Sequence, residues 1–143
     1  MGLRRCPRNT STGWAMRLPD PLHRLIGFQL LWRTLFCISI AAITWLGFTN
    51  EPYPIPSAAS DKVNHLLAFM ELSILTRLGW PQLGLLPPLI VLTGFGLALE
   101  AGQAITPWRD FSLFDLFADT LGIVLGYYLM SVVFRWLSAP NRI

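Results

Sequence analysis

Two long apolar runs, residues 85–105 and 113–134, meet across a short turn, and Glu100, Arg109, Asp110, Asp115 and Asp119 lie at the meeting point. Each run has about the 17 to 25 residues that a helix needs to cross a hydrocarbon core of about 30 Å. A carboxylate at the centre of such a helix costs about 2.5 to 3.5 kcal/mol on insertion scales, so a chain that keeps several has a use for them. The arrangement predicts a polar site near one membrane surface. Composition agrees: 53% of the 143 residues are hydrophobic and 13% charged, with a mean hydropathy of +0.49, outside the range of ordinary soluble domains.

The rest of the chain fits the same class. The net charge of +3 comes from arginines concentrated at the two ends, and no nucleic-acid partner is indicated. Cys6 and Cys37 have no second pair with which to build a framework and are expected to be free thiols. Residues 1–19, with Arg4, Arg5, Arg8 and Arg17 among small polar residues, have no apolar period and read as a basic, mobile tail. A single membrane domain is expected over residues 20–138, with spans at about 30–48, 62–78, 85–105 and 113–134. Asp20-Pro21 has the form of an N-cap followed by proline at the first helical position, and Arg33 is placed to snorkel to the headgroups. No small-x-small cleavage signature closely follows the first apolar run, which reads as an uncleaved span.

Proline punctuates the chain after the first span. Pro52, Pro54 and Pro56 make residues 49–60 a stiff connector. Span two carries Asn64, His65, Glu71, Ser73 and Thr76, too polar for lipid on all sides, and is expected inside the bundle. Trp80-Pro81 and Gly84 end it, Pro87-Pro88 open span three, Thr106-Pro107 stop it, and Ser112 is placed to cap span four. By side, Arg4, Arg5, Arg8, Arg17, Arg24, Arg33, Arg77, Arg135 and Arg142 oppose only Lys62 and Arg109. Short arginine-rich segments stay cytoplasmic, so the chain reads as an all-α, integral membrane four-helix bundle with both termini in the cytoplasm. A multi-pass protein of the cytoplasmic (inner) membrane is the expected location.

That topology brings the start of span two, the end of span three and the start of span four to the extracytoplasmic side. At about 1.5 Å rise per residue, Asp61, Lys62, His65, Glu100, Gln103, Arg109, Asp115 and Asp119 then converge in the outer part of the membrane. Asp115, Asp119, Gly122 and Gly126 share one helix face, with the glycines expected to let span three approach closely; Gly96, four residues before Glu100, serves span three likewise. Asp61 has the place of an N-cap, and Asp115 stands three residues after Ser112 as in a capping box. Asp119 lies a turn deeper, where capping does not account for it. Glu100 sits at the negative end of its own helix dipole and requires a partner, for which Arg109 and His65 are the candidates. The sequence leaves the role and protonation of Glu71 open.

The ordered motifs Asp61-Lys62-x-x-His65-x-x-x-Phe69, Glu100-x-x-Gln103, Arg109-x-Phe111-Ser112 and Asp115-x-x-x-Asp119-x-x-Gly122 resemble the VanZ-like membrane proteins, a family named for a member associated with teicoplanin resistance. The resemblance covers roughly residues 35–135 and implies a small multi-span membrane protein. One departure is Asp119, where many members carry asparagine; it adds a negative charge to the seam.

The residues support three functional readings ahead of a fourth, proton-coupled transport, for which Ser73, Thr76 and Arg77 are the only candidates below Glu71 for a polar path to the cytoplasm. The first is a non-enzymatic cell-envelope protein whose outer-leaflet pocket binds an amphiphile, such as a lipid-linked or glycolipid headgroup or a lipoglycopeptide-type compound. Arg109, Lys62 and the helix N-termini would meet phosphate, while the acids and Gln103 would meet hydroxyls. The second is an intramembrane enzyme using His65, Glu100 and Asp119 for acid-base or metal chemistry, against which stands the absence of HExxH, GxSxG or a phosphate-binding loop. The third is a structural or partner-binding role. No cofactor and no metal are expected, membrane lipid is the expected partner, and self-association is compatible with the sequence.

Overall fold

A computed structural model describes residues 27–49, 58–107 and 111–138, with the backbone alone at 58–60. The basic tail with Cys6, the Asp20-Pro21 cap, the proline-rich connector after Thr49, and Arg109 with Asp110 lie outside the described residues. All regular structure among the described residues is helical: α1 (Gln29–Phe48), α2 (Ala58–Gly79), α3 (Leu86–Gln103) and α4 (Leu113–Ser138). Three of these, α1, α3 and α4, are long and apolar enough to cross a membrane. The fourth, α2, has the length, but Asp61, Lys62, His65, Glu71 and Arg77 lower its apolarity.

Local chemistry sets the helix ends. Pro87 and Pro88 fall in the first turn of α3, where an absent amide hydrogen leaves no helical bond unmade. Helix α2 begins at Ala58, so Asp61 stands in its first turn and is not its N-cap, correcting the sequence reading. An acid there still meets the positive end of the helix dipole. Ser112 caps α4, its hydroxyl accepting the Asp115 N–H at 3.3 Å.

Helix α2 packs most extensively against α4, α1 lies mainly on α2, and α3 lies mainly on α4. Leu72 of α2 is fully buried, and Phe69 and Leu72 join Leu92, Leu99 and Ile123 in the apolar core. The approach of α2 to α4 is close enough to exclude side chains. A Cβ on Gly122 would strike the Leu66 carbonyl oxygen, and one on Gly126 would lie 2.5 Å from the Met70 carbonyl oxygen. The glycine stripe therefore faces α2, whereas the sequence reading turned it toward span three. Periodicity identifies the face of a helix and says nothing about which neighbour covers it. The buried Ser73 hydroxyl crosses the same seam to donate to the Ile123 carbonyl at 2.7 Å.

Two arginines fasten the opposite end of α2. Arg33 of α1 donates from Nε to the Gly79 carbonyl at 2.9 Å, and its guanidinium sits 5.0 Å from the Trp80 ring centroid. It closes a helix C-terminus there, where the sequence reading had it reaching for headgroups. Arg77 donates to the carbonyls of Pro81 and Leu83 at 2.6 and 3.0 Å and lies against Tyr127 and Phe134. Large apolar side chains such as Trp45, Phe114 and Trp136 are exposed, the surface that a hydrocarbon surround makes stable.

Candidate functional site

Helices α2, α3 and α4 each contribute one central side chain to a buried cluster. His65 of α2 places Nδ1 2.9 Å from Oδ1 of Asp119 on α4, and its Nε2 faces Oε1 of Glu100 on α3 at 3.9 Å. A carboxylate only accepts, so the short contact is Nδ1–H donating to Asp119, which fixes the ring's orientation. Glu100 and Asp119 are 1% and 0% exposed. Gly96 is what makes room for Asp119: a Cβ there would lie 2.5 Å from Oδ2.

Glu100 finds a partner that spacing did not suggest. Its Oε2 accepts the backbone N–H of Ser112 at 2.8 Å, at the positive end of α4, which offsets its unfavourable position at the end of α3. In an ordinary capping box that N–H would go to the acid three residues on. Asp115 is released from that duty and pairs instead with Lys62 Nζ at 3.0 Å. The lysine is therefore engaged with a carboxylate. Glu100 Oε1 and Asp119 Oδ2 are buried with no hydrogen-bond partner, a costly condition in low dielectric and one that marks sites where something else is accommodated.

Gln103 lies one turn beyond Glu100 and acts on a different neighbour. Its amide donates to the Gly47 carbonyl at 3.0 Å, tying the end of α3 to the end of α1. Gln103→Leu is expected to leave that carbonyl unmet and to cost about 1 to 3 kcal/mol of stability, measured as a lower thermal midpoint in detergent with helix content retained.

A cleft of about 450 Å³ opens beside the cluster, between α1, α2 and the end of α3. Ile38, Ala42, Ile43 and Leu46 form one wall and Leu67, Ala68 and Phe69 another; Asp61, Asn64, His65 and Gln103 gather polar groups in the same space. Further along the cleft, at its exposed side, the Ser39 hydroxyl donates to Glu71 at 2.8 Å, giving the mid-helix glutamate the partner that the sequence left open. Asn64, read from the sequence only as one of the polar residues of span two, joins the site, while Ser39 gave no signal beyond a hydroxyl in an apolar run. Of the site residues read from sequence, Asp61, Lys62, His65, Glu100, Asp115 and Asp119 meet at one end of the helices, and Gln103 faces α1.

The VanZ/LLP1 family model matches residues 7–135. A chain of the fission yeast Schizosaccharomyces pombe (strain 972 / ATCC 24843), named Uncharacterized protein C11E3.10, is 31% identical over 121 residues, covering 80% of this chain and 70% of that one. No solved structure matches. The family match takes in α1, α2, α3, the whole polar cluster and α4 as far as Arg135, and on that extent the chain belongs to the VanZ/LLP1 family.

Proposed function

We propose that this VanZ/LLP1 protein is a non-enzymatic, multi-pass protein of the cytoplasmic membrane that binds an amphiphile in the α1–α2 cleft. Its termini face the cytoplasm and the polar cluster lies beneath the outer headgroups, as the distribution of arginine supports. The observation that carries the reading is the cleft itself. Its volume of about 450 Å³ and its apolar walls with a few gathered polar groups are those of sites that take a small amphiphilic molecule. The apolar walls suit an acyl or prenyl chain, and Asp61, Asn64, His65 and Gln103 suit a headgroup rich in hydroxyls or amines.

The charge of the polar end narrows the choice. Carboxylates outnumber cations among the described residues there, and Lys62 is spent on Asp115, so a sugar or polyol headgroup is favoured over a bare phosphate. The test is lipid extraction from the purified protein with mass spectrometry. Ala42→Trp, which fills the cleft from α1, is expected to lower the bound lipid several-fold without loss of helix content. Bound lipid that is the same in both proteins would sink the reading.

A further inference from the structure

We infer that Asp61, His65 and Asp115, with Glu100 turning in from the far side of the imidazole, form a site for one divalent transition-metal ion, Zn²⁺ or Mn²⁺ by ligand type. The inference does not depend on the amphiphile reading. Ligand atoms of Asp61, His65 and Asp115 lie within 4.8 Å of one another. Asp61 and His65 are four residues apart on one face of α2, so the backbone presents them together.

The second observation comes from α3. Oε1 of Glu100 is buried, has no hydrogen-bond partner, and is directed at His65 Nε2 from 3.9 Å. That gap is too long for a hydrogen bond. Two ligands at about 2.1 Å from one ion stand roughly 3.0 to 4.2 Å apart, depending on the angle between them, so the gap is the one an ion fills. The other side of the imidazole is set up for the same purpose. With Asp119 ionised, Nδ1–H donates to it across 2.9 Å, and the neutral ring keeps its Nε2 lone pair free for a metal, the arrangement in which metal-binding histidines are commonly held.

Charge and donor type complete the argument. Among the described residues Glu100, Asp115 and Asp119 gather beside Lys62, and two added positive charges offset that excess where an uncompensated carboxylate is expensive. One imidazole with two or three carboxylate oxygens is a borderline set, softer than a calcium or magnesium cage and harder than a thiolate site. Lys62, whose side chain is 42% exposed, has room to swing outward and release its oxygen of Asp115. Asp119 acts here as a positioning residue that holds the ring.

The experiment uses the full chain carrying Cys6→Ser and Cys37→Ser and purified through a tag without histidine, so that no thiol or tag supplies the ligands. Zn²⁺ or Mn²⁺ is added, excess is removed by dialysis, and metal is counted by elemental mass spectrometry alongside thermal unfolding. About one ion per chain is expected, with a raised thermal midpoint, because an ion that binds only the folded state stabilises it. Glu100→Gln is expected to weaken binding at least tenfold, and Asp119→Asn by about 10- to 100-fold through loss of the carboxylate that holds the imidazole. Co²⁺ absorption in the visible range gives a second readout, expected to vanish in His65→Ala. Should His65→Ala fail to fold, Glu100→Gln and Asp61→Asn decide alone. A well-folded parent chain that retains no ion, or retention that these variants leave unchanged, overturns the site and leaves a water in the gap.

Discussion

Gly122→Leu is expected to separate α2 from α4 and to destabilise the protein by about 1 to 3 kcal/mol or more, the range for forcing bulk into a well-packed core. The sign is decided by what the new side chain meets. At most packed positions a neighbouring side chain can rotate aside, but here the obstacles are the backbone carbonyl of Leu66 and the backbone nitrogen of Met70. Neither moves without moving the helix. Gly94 is the control, because a Cβ there meets nothing within 4 Å, and Gly94→Ala is expected to be neutral or stabilising by up to about 1 kcal/mol from helix propensity alone. Unfolding of both variants in detergent, followed by circular dichroism, separates the two outcomes; equal midpoints would show that the close α2–α4 approach is not what holds them.

His65→Leu is expected to have the larger effect. Removing the hydrogen-bond partner of the buried Asp119 carboxylate leaves that acid uncompensated, at about 3 to 5 kcal/mol, whereas a single interhelical hydrogen bond in a membrane averages only about 0.6 kcal/mol. The size of the loss therefore tells whether His65 is an ordinary bonding group or the one that makes Asp119 tolerable. Adding Asp119→Leu to His65→Leu removes the stranded carboxylate and should recover much of the loss, since apolar replacement of a whole buried set is often neutral. A single variant that costs less than about 1 kcal/mol, or a double variant worse than the sum of its parts, argues against the pairing.

Much of this arrangement could be read from residue spacing, and the failures have identifiable causes. The runs 30–48, 85–105 and 113–134 were legible because apolar length is a property of the chain alone, and Pro87-Pro88 and Ser112 mark helix starts through local chemistry. The grouping of His65, Glu100 and Asp119 came from putting helix ends on a common side. What spacing could not give is direction around a helix axis. The face bearing Gly122 and Gly126 was visible, but its partner was not, and α2 covers it rather than α3. Bonds to backbone atoms escaped for a related reason: Ser112 N–H as the partner of Glu100, Gly47 O for Gln103 and Gly79 O for Arg33 have no side-chain signature in sequence.

The uneven grip on α1 has a mechanical consequence. Helices α2 and α4 touch backbone to backbone and behave as one rigid post, while α1 is held beside them by the Phe36, Ile40 and Ile43 contacts and by Arg33–Gly79, Ser39–Glu71 and Gln103–Gly47. A small tilt of α1 is therefore opposed by side-chain contacts and three hydrogen bonds, not by a backbone-to-backbone seam. Because α1 forms one wall of the cleft, such a tilt widens or narrows its sideways mouth and would admit a guest from the plane of the bilayer.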